Sequence, residues 1–236
     1  MIFSWKRMMA IFEKDMKDLS KNIFVLSTVA MPLLVGFLFK REGDIPIGLH
    51  FLVINLAFTA VATYVQCVII AEEKEKNTLR TLTLSPATTF DIMGGKSLVS
   101  GGLTIVTIIL CAQLTGYRPE NPAPIIVAGG LSLVFYIALG TMLGLLTKSV
   151  MQASVVILPF IFLFSFGTAL QGLVKDTPFL RVVELLPNIQ LEHLAQTVQD
   201  GGSFANIGSN LLIIAGWALV GWIAAVIAYR RQTLDV

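Results

Sequence analysis

The sequence predicts an all-α integral membrane protein with six transmembrane helices, and three observations lead to this fold class. The 236 residues are 55% hydrophobic and only 14% charged, whereas a soluble domain carries roughly 25% charged residues. The mean hydropathy of the chain is +0.79. Finally, six apolar stretches have the length that crosses a bilayer, which is about 20 residues at a rise of about 1.5 Å each.

These six stretches contain no Asp, Glu, Lys or Arg in their interiors, and the charged residues lie between them. The predicted spans are Asn22–Phe39, Gly48–Ile70, Ser97–Tyr117, Ala123–Thr147, Met151–Val174 and Ile207–Tyr229. We expect residues 1–236 to form a single transmembrane domain, because no hydrophilic segment between the spans is long enough for a separate domain.

The first 21 residues predict an amphipathic helix at the membrane surface. Five apolar residues recur at spacings of four and three and therefore share one stripe of a helix: Trp5, Met9, Phe12, Met16 and Leu19. The opposite face carries Lys, Arg and Glu side chains. Such a helix lies in the headgroup region with its apolar stripe at the acyl boundary. The alternative is a soluble helix packed on a partner.

Lys and Arg are unevenly distributed between the two sides of this topology. All but five of the 17 fall on the side that holds both termini, and the exceptions are Lys40, Arg41, Arg118, Lys175 and Arg181. Cytoplasmic connections of membrane proteins carry an excess of Lys and Arg. We therefore predict that both termini are cytoplasmic.

No residue pattern predicts an enzyme. The spans contain no ionisable group that would bind a coupling ion or act as an intramembrane protease, and no cluster has metal-ligand spacing. Gly95-Lys96-Ser97 resembles the tail of a phosphate-binding P-loop, but the glycine required five residues before the Gly-Lys pair is replaced by Phe90. We expect no catalytic residue, no metal and no cofactor in this chain.

The connection between the second and third spans begins with five closely spaced charged residues. Glu72 and Lys76 are four residues apart in the order that favours a helical ion pair, so the second span is expected to continue into the cytoplasm. Ser85 and Pro86 then predict the start of a new helix, with Ser at the N-cap and Pro at the first helical position.

This short helix, Pro86–Met93, is expected to stop at Gly94 and Gly95. It would present Ala87 and Phe90 on one face, with Thr88 and Asp91 beside them. A short cytoplasmic helix that shows a large apolar side chain is typical of a docking element. The alternative is an ordinary loop whose helix rests on the membrane surface.

The same connection resembles the first cytoplasmic loop of ABC-2-type transporter permeases. The matching residues, in order, are Glu73, Glu75, Lys76, Thr78, Leu79, Ser85, Pro86, Gly95 and Lys96. Two positions differ, because Asn77 stands where the family usually has Gly and Arg80 where it often has Glu. By this resemblance the ATPase-coupling residues are Glu73, Glu75, Ser85, Pro86, Ala87, Thr88, Phe90 and Asp91.

The resemblance implies the membrane subunit of a bacterial ABC exporter in the plasma membrane. Two permease chains, identical or different, would form the pathway, with the second and fifth spans at their interface. Two copies of a separate ATPase subunit would bind from the cytoplasm and carry ATP and Mg²⁺. Before the last span, an extracellular helical pair broken at Pro187 would help to close the exit, with Thr177 and Asn188 as helix caps. The alternative is a lid without a gating role.

The fifth span carries the only indication of a substrate. Phe160 and Phe164 share one face and are candidate pathway-lining residues, and Phe162 and Phe166 share another. An apolar lining would suit a hydrophobic drug, an antimicrobial peptide or a lipid, although phenylalanines that face lipid are the alternative. Two other functions compete: a non-transporting immunity or assembly protein, and a channel or uniporter. No nucleic-acid partner is expected.

Overall fold

The computed structural model describes residues 3–40, 45–76, 78, 88–174, 180–202 and 204–234. These residues form helices joined by short connections, and no strand occurs among them. The helices are α1 (Trp5–Leu19), α2 (Ile23–Phe39), α3 (Ile47–Glu75), α4 (Thr89–Thr115), α5 (Pro122–Leu146), α6 (Val150–Val156), α7 (Leu158–Ser165), α8 (Gly167–Val174), α9 (Leu180–Glu184), α10 (Pro187–Gln199) and α11 (Phe204–Leu234).

Four of these helices, α3, α4, α5 and α11, are long and apolar enough to cross a membrane. A fifth candidate is the pair α1 and α2, which meet at an angle of 87°. The 17 residues of α2 span about 26 Å, slightly less than a hydrocarbon core of about 30 Å. The described residues thus confirm an all-helical membrane protein with four or five candidate spans, and the predicted number of six is not confirmed.

The predicted fifth span, Met151–Val174, is interrupted twice. Pro159 lies in the first turn of α7, where its missing N–H leaves no hydrogen bond unmade. Beyond α7, Phe166 takes φ −102° and ψ 40°, and α8 begins at Gly167. A Cβ atom at Gly167 would lie 2.7 Å from the Asn188 side-chain nitrogen. The second break therefore falls where α10 presses against this segment.

The central helix is α3, in which residues 53–71 are all buried inside the chain. It contacts α2, α4, α5, α6, α7 and α10. Only the first turns of the second predicted span are partly exposed. Its implied role at the interface of two permease chains stays a prediction.

Polar side chains on α3 bond to its neighbours, as buried polar groups in a bilayer must. The hydroxyls of Thr59 and Ser165 lie 2.7 Å apart, and the Thr63 hydroxyl donates to the Tyr136 carbonyl oxygen at 3.0 Å. Both threonines belong to a π-helical turn, Phe58–Thr63. Such turns are rare and occur frequently at functional sites.

Close packing joins α3 to α5 through Gly140 and Gly144. A Cβ atom at Gly144 would lie 2.8 Å from the Cys67 carbonyl oxygen and 2.8 Å from the Ile70 Cβ atom. A Cβ atom at Gly140 would overlap the Thr63 carbonyl oxygen. Small residues four apart allow two helices in a membrane to approach at backbone distance, which explains this pair.

The segment before the last helix is buried more deeply than an external lid would be. Pro187 occupies the first turn of α10, so the predicted break at this residue is confirmed. The prediction that Asn188 caps a helix is wrong: the N-cap is Leu186, without a side-chain bond, and Asn188 is fully buried. Thr177 lies outside the described residues. The helix α10 packs against α11, α5 and α3.

Candidate functional site

The candidate site lies at the end of the bundle that carries α1, the last turn of α3, the first turns of α4 and the end of α11. We call it the charged end. Tyr229 and Arg230 of α11 border the same groove as Phe90 of α4. The N-terminal helix and the end of α11 therefore lie on the same side of the bundle.

The helix α1 packs across the first turns of α4 at Gly94 and Gly95. A Cβ atom at Gly94 would lie 2.8 Å from the Met8 sulfur, and one at Gly95 would lie 2.9 Å from the Ile11 Cβ atom. Here the prediction of a helix that stops at the two glycines is wrong. The helix α4 runs through both without a break, because their missing side chains make room for α1.

The buried face of α1 is Met8, Ile11, Asp15 and Leu19. The predicted apolar stripe lies mostly beside this face: Trp5 is exposed, and Met9, Phe12 and Met16 are half-buried. The helix thus packs on its own chain through one face and leaves a second, partly exposed apolar edge. That edge is compatible with the predicted position at the acyl boundary.

Four charged residues from three helices form what we call the buried ion cluster: Lys14 and Asp15 of α1, Glu73 of α3 and Lys96 of α4. The Lys96 ammonium donates to Asp15 Oδ2 at 3.0 Å and to Glu73 Oε1 at 3.1 Å. Lys14 also bonds Glu73, and it reaches Asp15 Oδ1 at 3.3 Å. Two cations and two carboxylates balance in charge, which burial of charged groups requires.

Burial differs across this cluster. Lys96 is 0% exposed and Glu73 and Asp15 are each 3% exposed, whereas the Lys14 side chain is 48% exposed. Burial lowers the pKa of Lys14, but its hydrogen bond to Glu73 and the charge of Asp15 outweigh this, so its pKa lies above the usual value. Lys14 therefore stays protonated at neutral pH.

Besides the buried ion cluster, a second group of polar contacts holds α1 at the start of α4. The Thr88 hydroxyl accepts from the Asp91 N–H at 3.1 Å, and Asp91 Oδ2 accepts from the Thr88 N–H at 2.9 Å, which is a capping box. Asp91 also accepts from the Ser4 N–H at 2.9 Å and pairs with the Arg7 guanidinium at 3.4 Å. This carboxylate thus joins the beginning of α1 to the beginning of α4.

The buried ion cluster and the bonds around Asp91 lie at the two ends of the segment that the sequence predicted as the coupling element. At its start, the Thr78 hydroxyl donates to Glu73, both to the side chain and, at 3.2 Å, to the carbonyl oxygen. At its end stand Thr88 and Asp91. Both ends are therefore tied to α1. The predicted coupling residues Ser85, Pro86 and Ala87 lie outside the described residues.

The remaining predicted coupling residues have different environments. Glu75 is exposed and accepts from the N–H of Val150, the first residue of α6, at 2.8 Å. Phe90 is 77% exposed in the first turn of α4, so it presents the large apolar side chain that docking would require. Glu73, by contrast, is buried in the ion cluster and faces the chain's own helices.

The sequence interpretation missed Lys14, Asp15 and Lys96 as parts of this site. Lys96 entered the sequence prediction only as part of the P-loop-like tail and of the family resemblance. One signal was available for Asp15, because it continues the row of Ile11 and Leu19 at spacings of four. An acid within an apolar row indicates a buried partner of opposite charge.

The predicted pathway residues lie in a different part of the fold. Phe164 is 4% exposed, and its ring centroid is 5.5 Å from that of Phe135 and 5.7 Å from that of Tyr136. Phe160 is partly buried against the same interior. The outward face of α7 carries Phe162, which is 64% exposed. The pathway-lining role of Phe160 and Phe164 stays a prediction.

The fold and the charged end define a multi-pass helical membrane protein in which α1 is bonded to the end of α3 and to the start of α4. The family described as ABC-2 family transporter protein matches residues 47–227, well over half of the chain, and the chain therefore belongs to this family of ABC transporter permeases. No curated protein shows a significant match to the sequence. The matched region begins after α1 and α2, so Lys14 and Asp15 lie outside it.

Proposed function

We propose that this chain is the transmembrane subunit of an ABC exporter, which pairs with a second permease chain and is driven by two copies of a separate ATPase. The charged end is its cytoplasmic face, and the membrane is a bacterial plasma membrane. The observation that carries the proposal is the bracketed segment between Thr78 and Thr88. Thr78 at one end is bonded to Glu73 of α3, and Thr88 at the other end is bonded to Asp91 of α4. Both helices are candidate membrane spans.

This arrangement supports a specific route for mechanical coupling. An ATPase that binds this segment and then moves would displace Thr78 and Thr88 together. Thr78 pulls on Glu73 at the end of α3, and Glu73 is bonded to Lys96 on α4. Buried charge pairs resist separation because an unpaired buried charge is costly. The ion cluster would therefore move α1, α3 and α4 as one unit.

Energy would come from the partner subunit, which would bind ATP and Mg²⁺. In this chain the lysine of the P-loop-like tail, Lys96, is engaged with two carboxylates, and Phe90 occupies the position of the required glycine. A phosphate would have to displace both carboxylates to reach this ammonium. This geometry supports a transport subunit without its own ATPase site.

The proposed substrate is a hydrophobic or amphipathic compound, such as a drug, an antimicrobial peptide or a lipid. Support comes from the apolar exterior of the fifth predicted stretch. The rings of Phe162 and Phe166 stack at 5.8 Å between centroids on its outward face. This face is the proposed contact with the second permease chain, since α3 is enclosed.

The test substitutes Phe90 with Asp. A buried Phe at an interface hot spot contributes at least about 2 kcal/mol to binding, so the variant should reach the membrane in normal amount but fail to co-purify with its ATPase. Phe90→Leu, which keeps an apolar side chain, should retain most of the association. Full ATPase association by Phe90→Asp would contradict the proposal that this residue docks.

A second variant separates docking from helix capping. Thr88→Ala removes the capping box and should cost about 1 kcal/mol of local stability, but it leaves Phe90 in place. We expect it to reduce ATPase association much less than Phe90→Asp does. Equal loss in the two variants would mean that the order of the first turn of α4, and not the Phe90 contact, controls association.

A further inference from the structure

A groove of about 680 Å³ opens on the outer surface of the bundle at the charged end. Its walls come from the first turns of α4, the middle of α5 and the last turns of α11. Phe90, Val134 and Trp222 each contribute an apolar surface from one of these helices. The volume falls within the range of about 300–1,000 Å³ that is typical of small-molecule sites.

The packing of α1 explains why this groove exists. The helix α11 packs along the length of α5, whereas α4 contacts α5 only weakly. The first turns of α4 are instead held against α1, where Gly94 and Gly95 admit Met8 and Ile11 at close range. The helices α4 and α11 therefore flank α5 with at most a weak contact between them, and α5 forms the floor of the groove.

The groove is apolar along most of its length and carries a cation at one end, which complements an anionic lipid. Its lining is mostly apolar, and among the described residues that border it Arg230 is the only one with a charge. From Trp222 to Arg230 the axis of α11 rises about 12 Å. That length fits within one leaflet, which is about half of the roughly 30 Å hydrocarbon core. The apolar part thus points toward the bilayer centre, with the cation near the headgroups.

We propose that this groove binds one anionic phospholipid of the surrounding leaflet. An acyl chain lies against Val134, Trp222 and Val226, and the phosphate faces Arg230. Basic pockets between transmembrane helices are known to bind anionic headgroups. A second copy of the chain fits less well, because a two-fold axis through the groove would oppose two concave surfaces and two Arg230 cations. The proposal does not depend on ATPase coupling.

The experiment uses Trp222 as a reporter inside the groove. The full chain has three tryptophans, and replacing Trp5 and Trp217 with Phe leaves Trp222 alone. This protein is reconstituted in phosphatidylcholine vesicles that contain a small fraction of lipid with brominated acyl chains. The brominated lipid is either phosphatidylglycerol or phosphatidylcholine, and the quenching of Trp222 fluorescence is measured for both.

We expect brominated phosphatidylglycerol to quench Trp222 at a lower mole fraction than brominated phosphatidylcholine. Arg230→Gln should reduce this preference about fivefold, the effect of one basic residue at an anionic surface. The matched control is Arg231→Gln, which changes the next, exposed residue and should leave the preference unchanged. Val226→Phe, which fills the groove, should weaken quenching by either lipid, and Ser97→Leu should do the same from the α4 wall.

Three results would overturn the proposal. Equal quenching by the two lipids, or equal effects of Arg230→Gln and Arg231→Gln, would show only a general attraction of the charged end for anionic surfaces. Unchanged quenching in both Val226→Phe and Ser97→Leu would show that the lipid contacts Trp222 from outside the groove. Using two groove-filling variants on different helices keeps the test decisive if one of them fails to fold.

Discussion

Replacing Lys96 with Met tests whether the buried ion cluster holds α1, α3 and α4 together. The substitution keeps an unbranched side chain of similar length but removes two charged contacts, to Asp15 at 3.0 Å and to Glu73 at 3.1 Å. Two carboxylates then share the single half-exposed cation of Lys14. Removing one partner of a buried ion pair costs about 3–5 kcal/mol, because the remaining charges stay uncompensated.

The same reasoning predicts a partial rescue. Adding Asp15→Asn to Lys96→Met removes one carboxylate, so that the cluster again balances with Lys14 against Glu73. The double variant should therefore be more stable than Lys96→Met alone, although it has lost more charged groups. Lys76→Met is the control, since it breaks an exposed pair with Glu72 on one helix, worth about 0.3–0.5 kcal/mol.

Thermal unfolding of the purified protein in detergent, followed by circular dichroism, measures all three variants. A loss of about 3–5 kcal/mol corresponds to a decrease in Tm on the order of 10 °C for a chain of this size, and Lys76→Met should change Tm by at most about 2 °C. The reasoning is refuted if Lys96→Met unfolds at the same temperature as Lys76→Met. It is also refuted if Asp15→Asn lowers the Tm of Lys96→Met further.

Three further outcomes follow from the structure. Gly144→Leu should destabilise the protein by about 1–3 kcal/mol through overpacking, since its Cβ atom would lie 2.8 Å from α3; Gly130→Leu, with open space around it, should be neutral in the same unfolding assay. Phe162→Cys should form cross-linked permease pairs in native membranes. The control Val65→Cys should not, because Val65 is fully buried. A lack of pairs with Phe162→Cys counts against the proposed interface. Nucleotide binding by the purified permease alone should stay at background in the wild type and in Lys96→Met, and saturable binding that requires Lys96 would reverse the assignment.

Local composition was enough to predict the apolar helices. The helices α3, α4, α5 and α11 each overlap almost all of a predicted span, since a long uncharged stretch has no other stable state in a bilayer. The extension of α3 beyond Ile70 was also predictable, from the spacing of Glu72 and Lys76, and the expected ion pair between them is present. These features depend on residues at most a few turns apart.

The features that the sequence did not predict depend on distant contacts. Lys96 and Asp15 are separated by 81 positions, and no local pattern connects them. Gly94 and Gly95 were interpreted as a helix stop, because a missing Cβ atom serves a helix end and a close helix contact equally well. The breaks around α7 were not predicted for a similar reason. An uninterrupted apolar stretch has the composition of a membrane span whether or not another helix packs against it and interrupts it.

The burial of α10 has a consequence for the biosynthesis of this protein. Asn188 and Gln190 are polar and are unfavourable in contact with lipid. Part of their buried environment is formed by α3, which is synthesised earlier. The Asn55 amide donates to the Asn188 carbonyl at 3.4 Å, although the two residues are 133 positions apart. Most of the other contacts of α10 come from α5 and α11, and the Trp217 indole of α11 donates to the Leu185 carbonyl at 2.7 Å. The helix α11 leaves the ribosome after α10. The helix α10 therefore completes its packing only after α11 has been synthesised, which makes the docking of this segment a late step in the folding of the subunit.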